Sequence, residues 1–174
     1  MPAEELVDVV DSHDHATEVR TLAECKEKGL LHRAVAVLLF DSAGRLLIQR
    51  RSIRKDWMAG YWDLSSTGHV KAGESYQEAA VRELREELGV SCRLRIVSKY
   101  LAPKFSAGGL TEWEYVSIFE GTHEGDVTPD GVEVEDARFV ELGTLIGMIS
   151  EPSPVLTPDA MATIEEFRRV SGSF

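Results

Sequence analysis

Short apolar runs separated by turn residues give the chain its reading. Glu5 to Val10 and Ala16 to Arg20 form two short strands joined by the polar turn DSHDH, and a helix near Thr21 to Lys28 ends at Gly29. His32 to Phe40 reads as a buried strand, and Asp41 to Gly44 turns the chain into a second strand, Arg45 to Arg51, so that the pair makes a hairpin. Tyr61 to Ser66 predicts a further strand. Leu94 to Leu101 and Leu110 to Glu120 predict two more, with a flexible segment, Ser106 to Gly109, between them. Gly121 to Gly131 is an acidic loop, and Val132 to Val140 returns to strand. Helices near Leu142 to Ile149 and from Pro158 to Val170 close the chain, with Thr157 as N-cap and Pro158 in the first helical position. The linker Glu151 to Pro158 sets the last helix apart from the body but lies too near the end to define a second domain. Strands with interspersed helices predict an α/β fold, helices lying on both sides of a mixed sheet.

One stretch carries chemistry. Gly68 to Val90, GHVKAGESYQEAAVRELREELGV, has the capping box Ser75/Glu78 and a stop at Gly89, which predict a helix over Tyr76 to Leu88. At roughly 100° per residue, Glu83, Glu86 and Glu87 fall within one arc, and Ala80, Val81, Leu84 and Leu88 form the neighbouring apolar arc. Crowded carboxylates repel one another and resist ionisation unless a cation sits among them. Hard oxygen ligands suit Mg²⁺, with Mn²⁺ as a substitute, shared with phosphate oxygens. A bare E-x-x-E-E is usually a solvated helix face. Here the acidic arc is tied to a Gly-rich loop, Gly68 to Gly73, and to Glu74 and Arg82 at fixed spacings.

The 174 residues, 43% of them hydrophobic, suffice for one domain spanning 1–174, with an N-terminal extension over residues 1 to about 30. The longest apolar run, Ala34 to Phe40, is too short to cross a bilayer, so no membrane partner is expected. The acidic N-terminus has no signal-peptide pattern, and Cys25 and Cys92 give neither a disulfide framework nor a zinc spacing; a cytoplasmic location is expected. The net charge of -11 argues against a nucleic-acid polymer as partner, while leaving room for a small anion whose site carries metal and arginine. No Walker P-loop, G-x-S-x-G or H-E-x-x-H motif is present.

The stretch from Gly68 to Val90 matches G-x5-E-x7-R-E-U-x-E-E-x-G-U, with U apolar, at every specified position, and by this box the chain resembles the Nudix hydrolase superfamily. Nearly all of it resembles the isopentenyl-diphosphate-isomerase-like branch, through VDVVDSHD, GLLHRAVAVLLFDSAGRLLIQRRS, WMAGYWD at Trp57 to Asp63, and Gly68-His69. The resemblance implies the Nudix fold, an α/β/α sandwich with a mixed central sheet. It implies that Glu83, Glu86 and Glu87, with the Gly68 carbonyl, hold one to several Mg²⁺ ions bridging a diphosphate. Arg82 orients a box carboxylate, and Glu74 is a structural or outer ligand. Water attacks phosphorus, with Glu83 or Glu86 as base and Glu114 third in line. Arg51 and Lys55 match positions that grip the diphosphate; the other reading is ordinary surface charge after a strand.

Isomerases of that branch carry a cysteine before Gly-His, and this chain has Thr67, whose hydroxyl cannot shuttle protons near neutrality as a thiol can. Their further metal site maps to His32, His69, Glu112 and Glu114, with Cys25 in place of its first histidine. Glu112 and Glu114, two apart on one strand, would share a face. The box is complete where the isomerases depart from it. The resemblance therefore points to a Mg²⁺-dependent hydrolase of nucleoside di- or triphosphates or related small-molecule diphosphates. The alternatives are an isopentenyl-diphosphate isomerase and a binding module without catalysis. Trp57, Tyr61, Trp62, Phe105 and Trp113 are available to stack on a base or to pack the core.

Overall fold

A computed structural model describes residues 4–150 and 156–172. The linker read at Glu151 to Pro158 thus falls mostly outside the described residues. The chain opens with the antiparallel pair β1 (Leu6–Val10) and β2 (Ala16–Thr21), then α1 (Leu22–Lys28), which is capped by Thr21 and Glu24. There follow β3 (His32–Phe40), β4 (Leu46–Arg51), β5 (Trp62–Asp63), β6 (Ser66–His69), α2 (Tyr76–Leu88) and β7 (Arg95–Leu101). The remainder is β8 (Phe105–Ala107), β9 (Leu110–Glu112), β10 (Glu114–Thr122), β11 (Val134–Val140), α3 (Leu142–Ser150) and α4 (Pro158–Ser171).

The main sheet has the order β11-β4-β3-β10-β7. It is mixed, because β3 and β10 run parallel from His32 opposite Glu114 to Phe40 opposite Thr122, while the other pairs are antiparallel. Side chains alternate along β3, so Val35, Val37 and Leu39 pack against Ala80, Leu84 and Leu88 of α2, and Ala34, Ala36 and Leu38 pack into the opposite layer with Leu145 of α3 and Ile164 and Phe167 of α4. Helices therefore cover both faces, and the fold is the expected α/β/α sandwich. Full burial of side chains such as Leu38, Ile48 and Leu84 stabilises it by roughly 1.5–3 kcal/mol each.

Several local expectations need correction. The β3/β4 hairpin is paired only at its closed end, Phe40 opposite Leu46 beside the turn; away from the turn the strands part, with β6 pairing to β3 and β5 to β4. Ser65 spans the gap, its hydroxyl donating to the Leu47 carbonyl at 2.6 Å and accepting from the Leu39 N–H at 2.8 Å, so the single strand expected at Tyr61 to Ser66 is two. The segment expected to be flexible, Ser106 to Gly109, is half strand: β8 and β9 form a hairpin whose turn uses the left-handed Gly108 and Gly109, φ 58° and 82°. Glu112 and Glu114 lie on successive strands broken at Trp113. On α2 the buried face includes Ala79 and runs toward Glu83 and Glu87, leaving Val81 at its edge, 41% exposed.

Candidate active site

A cleft of about 410 Å³ opens where α2, the β6 loop, β10 and the start of α4 converge, and Glu83, Glu86 and Glu87 all line it. α2 starts and stops where local chemistry requires: Ser75 accepts from the Glu78 N–H, Glu78 returns the bond to the Ser75 N–H, and Gly89 closes the helix at φ 67°. Glu83 and Glu87 are buried, at 9% and 5% exposure, whereas the side chain of Glu86 is 57% exposed. Glu87 accepts hydrogen bonds from the Ser66 hydroxyl at 2.5 Å, the Gln49 amide at 3.3 Å and the Thr67 N–H at 3.3 Å. Burial, then the neighbouring Glu83 charge, pushes the Glu87 carboxyl well above the usual range in spite of the Ser66 bond. Burial raises Glu83 likewise, against the opposing pull of Arg82 and His69.

Arg82 is the hub of the box. It donates to both oxygens of Glu74 at 2.8 and 2.9 Å, to the His69 carbonyl at 3.0 Å, to Glu83 at 2.6 Å and to Glu86 at 3.2 Å. Glu74 thus faces the guanidinium, and its carboxyl is held low: burial works against ionisation, but Arg82 and the Lys71 N–H outweigh it. Gly68 backs onto Glu83 so closely that a Cβ there would collide with the carboxyl group. The cradle fits a hard dication. It gathers carboxylate oxygens and a glycine backbone at one cleft, and two of those carboxyls resist ionisation without a cation.

The second set of sequence candidates also converges. One ligand atom from each of His32, His69, Glu112 and Glu114 lies within 4.8 Å of the others. His32 Nε2 sits 3.4 Å from Glu114 and 3.7 Å from Glu112, and His69 Nε2 is 3.2 Å from Glu114. The strand break costs nothing here, because His32 N–H bonds the Trp113 carbonyl at 3.2 Å and the two carboxylates still turn to one side. Burial opposes ionisation of Glu114, but His32 and His69 outweigh it and hold the carboxyl well below the ordinary range. Cys25 is elsewhere, fully buried with Val7 and Val9.

Arg51 and Lys55 line the cleft, yet both have protein partners. Arg51 bonds the Trp57 carbonyl at 3.0 and 3.2 Å and Asp63 at 3.4 Å, and Lys55 pairs with Glu133. Of the five aromatic candidates, Trp57 lines the cleft, 8% exposed, with its indole N–H lacking a hydrogen-bond partner among the described residues and Phe105 edge-on at 5.8 Å. Tyr61, Trp62, Phe105 and Trp113 do not line it; Trp62 instead packs against the core beneath Arg138, and Trp113 lies under Lys104. Sequence reasoning missed the far wall: Asp63, and Thr157, Asp159 and Thr163 from the start of α4. Burial, with the charges of Glu114 and Asp63 nearby, pushes Asp159 up to about 8. The T-P-D helix start was legible as a cap, but nothing local shows which wall it faces.

The sandwich and its carboxylate-bearing helix define the class. The chain belongs to the Nudix family, residues 30–159 matching the NUDIX domain. Within it the chain falls in the isopentenyl-diphosphate-isomerase-like branch. It is 35% identical over 154 residues to isopentenyl-diphosphate Delta-isomerase 2 of Photorhabdus laumondii, covering 88% of this chain and 87% of that one. It is 37% identical over 136 residues, 78% of each chain, to an uncharacterised Nudix hydrolase of Pseudomonas aeruginosa. Among solved structures, a Deinococcus radiodurans protein superimposes with TM-score 0.76 at 24% identity, covering 95% of this chain and 99% of that one. The NUDIX domain of Shewanella oneidensis NrtR, solved with ADP ribose, does so with TM-score 0.61 at 20% identity over 86% and 98% of the chains. At those identities the structures speak to the fold alone. No described helix is long and apolar enough to cross a membrane.

Proposed function

We propose that the protein, working as a single domain, is a Mg²⁺-dependent pyrophosphohydrolase that cleaves a diphosphate bond in nucleoside di- or triphosphates or related nucleoside diphosphate derivatives. The observation that carries this reading is the complete box, with Glu83, Glu86 and Glu87 turned into one cleft and Arg82 bracing two of them. Bound at those carboxylates, Mg²⁺, or Mn²⁺ in its place, would neutralise phosphate oxygens and make water a better nucleophile.

The protein's own groups do the rest. Glu83 and Glu87, buried and fixed, hold ligand oxygens in place. Glu86 stands at the solvent side of the cleft and is the candidate to take the proton from water; Glu83 is the other candidate. Glu114 is a poor base because His32 and His69 already occupy it. Arg51, held by the Trp57 carbonyl and Asp63, orients the diphosphate, and Trp57 offers an indole N–H with no partner among the described residues.

The isomerase names of several relatives make the alternative concrete, and two observations disfavour it. Thr67 stands where the isomerases need a thiol. The far wall presents the Asp159 carboxyl, which can hydrogen-bond a nucleoside and gains nothing from a hydrocarbon chain, whereas Thr157 and Thr163 beside it already bond the Ala160 N–H at 3.0 Å and the Tyr100 hydroxyl at 2.9 Å. A Mg²⁺-dependent screen over nucleoside di- and triphosphates, dinucleotide and sugar-nucleotide diphosphates and prenyl diphosphates, with products identified by mass, tests the reading. A nucleoside monophosphate among the products is expected. No turnover of any nucleoside diphosphate compound, or dimethylallyl diphosphate as the product, would overturn it.

A further inference from the structure

The cluster of His32, His69, Glu112 and Glu114 is not a bare set of ligands. Lys26, on α1, places its Nζ 2.5 Å from Glu112 Oε1, and the contact is protected from water: the Lys26 and Glu112 side chains are 16% and 6% exposed. α1 is locked for this purpose, capped at Thr21 by reciprocal bonds with Glu24 and packed along β9, the strand that carries Glu112. The residue before it, Cys25, faces the small N-terminal core, so the helix contributes an ammonium to the cluster and no ligand atom. Among the described residues, His32 Nε2 meets carboxylate oxygens only at ion-pair distance, 3.4 Å to Glu114 and 3.7 Å to Glu112, and the buried Glu112 Oε2 accepts no hydrogen bond.

Two carboxylates in a buried setting require positive charge nearby. Lys26 supplies it on one side of Glu112. A divalent ion held by all four side chains would have to draw Glu112 away from Lys26, or lie within a few ångströms of the ammonium in a medium that screens poorly. Either route makes the ion's binding weaker than the ligand set alone would give. We infer that Lys26 is a tethered cation that competes with divalent metal for this cluster, so that a metal there is held more weakly than the ligand set would hold it, and its binding releases Lys26 from Glu112. The inference does not depend on the hydrolase reading, because its readout is binding.

The test is Mn²⁺ binding to the full chain, followed by electron paramagnetic resonance of the free ion. A background of Glu86→Gln with Glu87→Gln removes the box ions, so that the cluster is read alone. Lys26→Met keeps the length and helix propensity of the side chain and removes its charge; it is expected to tighten Mn²⁺ at the cluster by about tenfold or more. Adding Glu112→Gln should abolish that gain. Lys26→Arg, which keeps the charge, should bind as weakly as the parent. Affinity in Lys26→Met within twofold of the parent, or a gain shared equally by Lys26→Arg, overturns the inference. Should Lys26→Met fail to fold, Lys26→Gln serves the same comparison. In the otherwise unaltered protein, saturating Zn²⁺ should also move the Lys26 ammonium signal in lysine-selective ¹⁵N spectra, and an unmoved signal counts against it.

Discussion

Gly68 and Glu83 share one volume: the space a side chain would fill at Gly68 is taken by the Glu83 carboxyl and its adjoining methylene. The glycine is needed for close approach and not for its backbone angles. Gly68→Ala should therefore leave the sheet intact and push the Glu83 side chain aside. A displacement of about 1 Å at a catalytic centre costs on the order of 10²-fold. We expect kcat/KM to fall by about that factor with an unchanged circular-dichroism spectrum and a higher Mg²⁺ requirement. Turnover within about twofold of the parent would show that the position of Glu83 is immaterial.

The reach of Arg82 to Glu74, Glu83, Glu86 and the His69 carbonyl makes it a positioning residue, not one that touches the reacting atoms. A lysine in its place could keep the charge but not the forked geometry. Arg82→Lys is expected to lower kcat by about tenfold or more and to raise the Mg²⁺ concentration giving half-maximal rate, with KM for the nucleotide little changed. A purely structural role would lower Tm and leave the metal requirement of the folded fraction alone.

The carboxylates themselves predict a sharper loss. Glu86→Gln or Glu87→Gln keeps shape and removes a negative charge that holds the metal clamp, and kcat should drop by at least about 10²-fold. Near-normal turnover in either variant is irreconcilable with the proposed chemistry. The same preparations should be incubated with isopentenyl diphosphate in D₂O. With Thr67 in the thiol's place, neither dimethylallyl diphosphate nor deuterium incorporation above background is expected.

What was legible in the sequence was what local chemistry decides. The bounds of α2 follow from Ser75, Glu78, Gly89 and the apolar period, and the structure returns Tyr76–Leu88. The layers of the sandwich follow from β3, whose alternate residues feed two cores. One failure is local, the Gly108-Gly109 turn that closes the β8/β9 hairpin and reads as flexibility; the others are tertiary. Splitting of the strand at Ser65 depends on the hydroxyl meeting two backbones far off in the chain. Nothing near Lys26 in sequence announces Glu112, and nothing near Asp159 announces the cleft. The convergence of His32 with Glu114 was reached through resemblance; its physical cause is the parallel pairing of β3 with β10, which sets those two residues opposite one another.

Asp14 offers a last test, of how the N-terminal hairpin is fastened to the site. It adopts φ 63°, and its carboxylate accepts from Arg33 at 2.7 Å, from Lys99 at 2.6 Å and from the Tyr76 hydroxyl at 2.9 Å, joining the first turn to β3, β7 and the first residue of α2. Burial opposes its ionisation, but Lys99, Arg33 and Tyr76 together outweigh that and hold the carboxyl below the usual aspartate range. A carboxyl depressed on folding contributes stability that is fully present above its unfolded pKa, about 3.9, and is lost as pH falls through the folded value. Asn tolerates the same left-handed backbone, so Asp14→Asn changes the charge without straining the turn. Urea denaturation should find the variant less stable by about 1–2 kcal/mol above about pH 5. The gap should close progressively below about pH 4, where the parent loses the same charge. A difference that stays constant from about pH 3 to pH 7 would mean that the packing of this side chain, and not its charge, secures the hairpin.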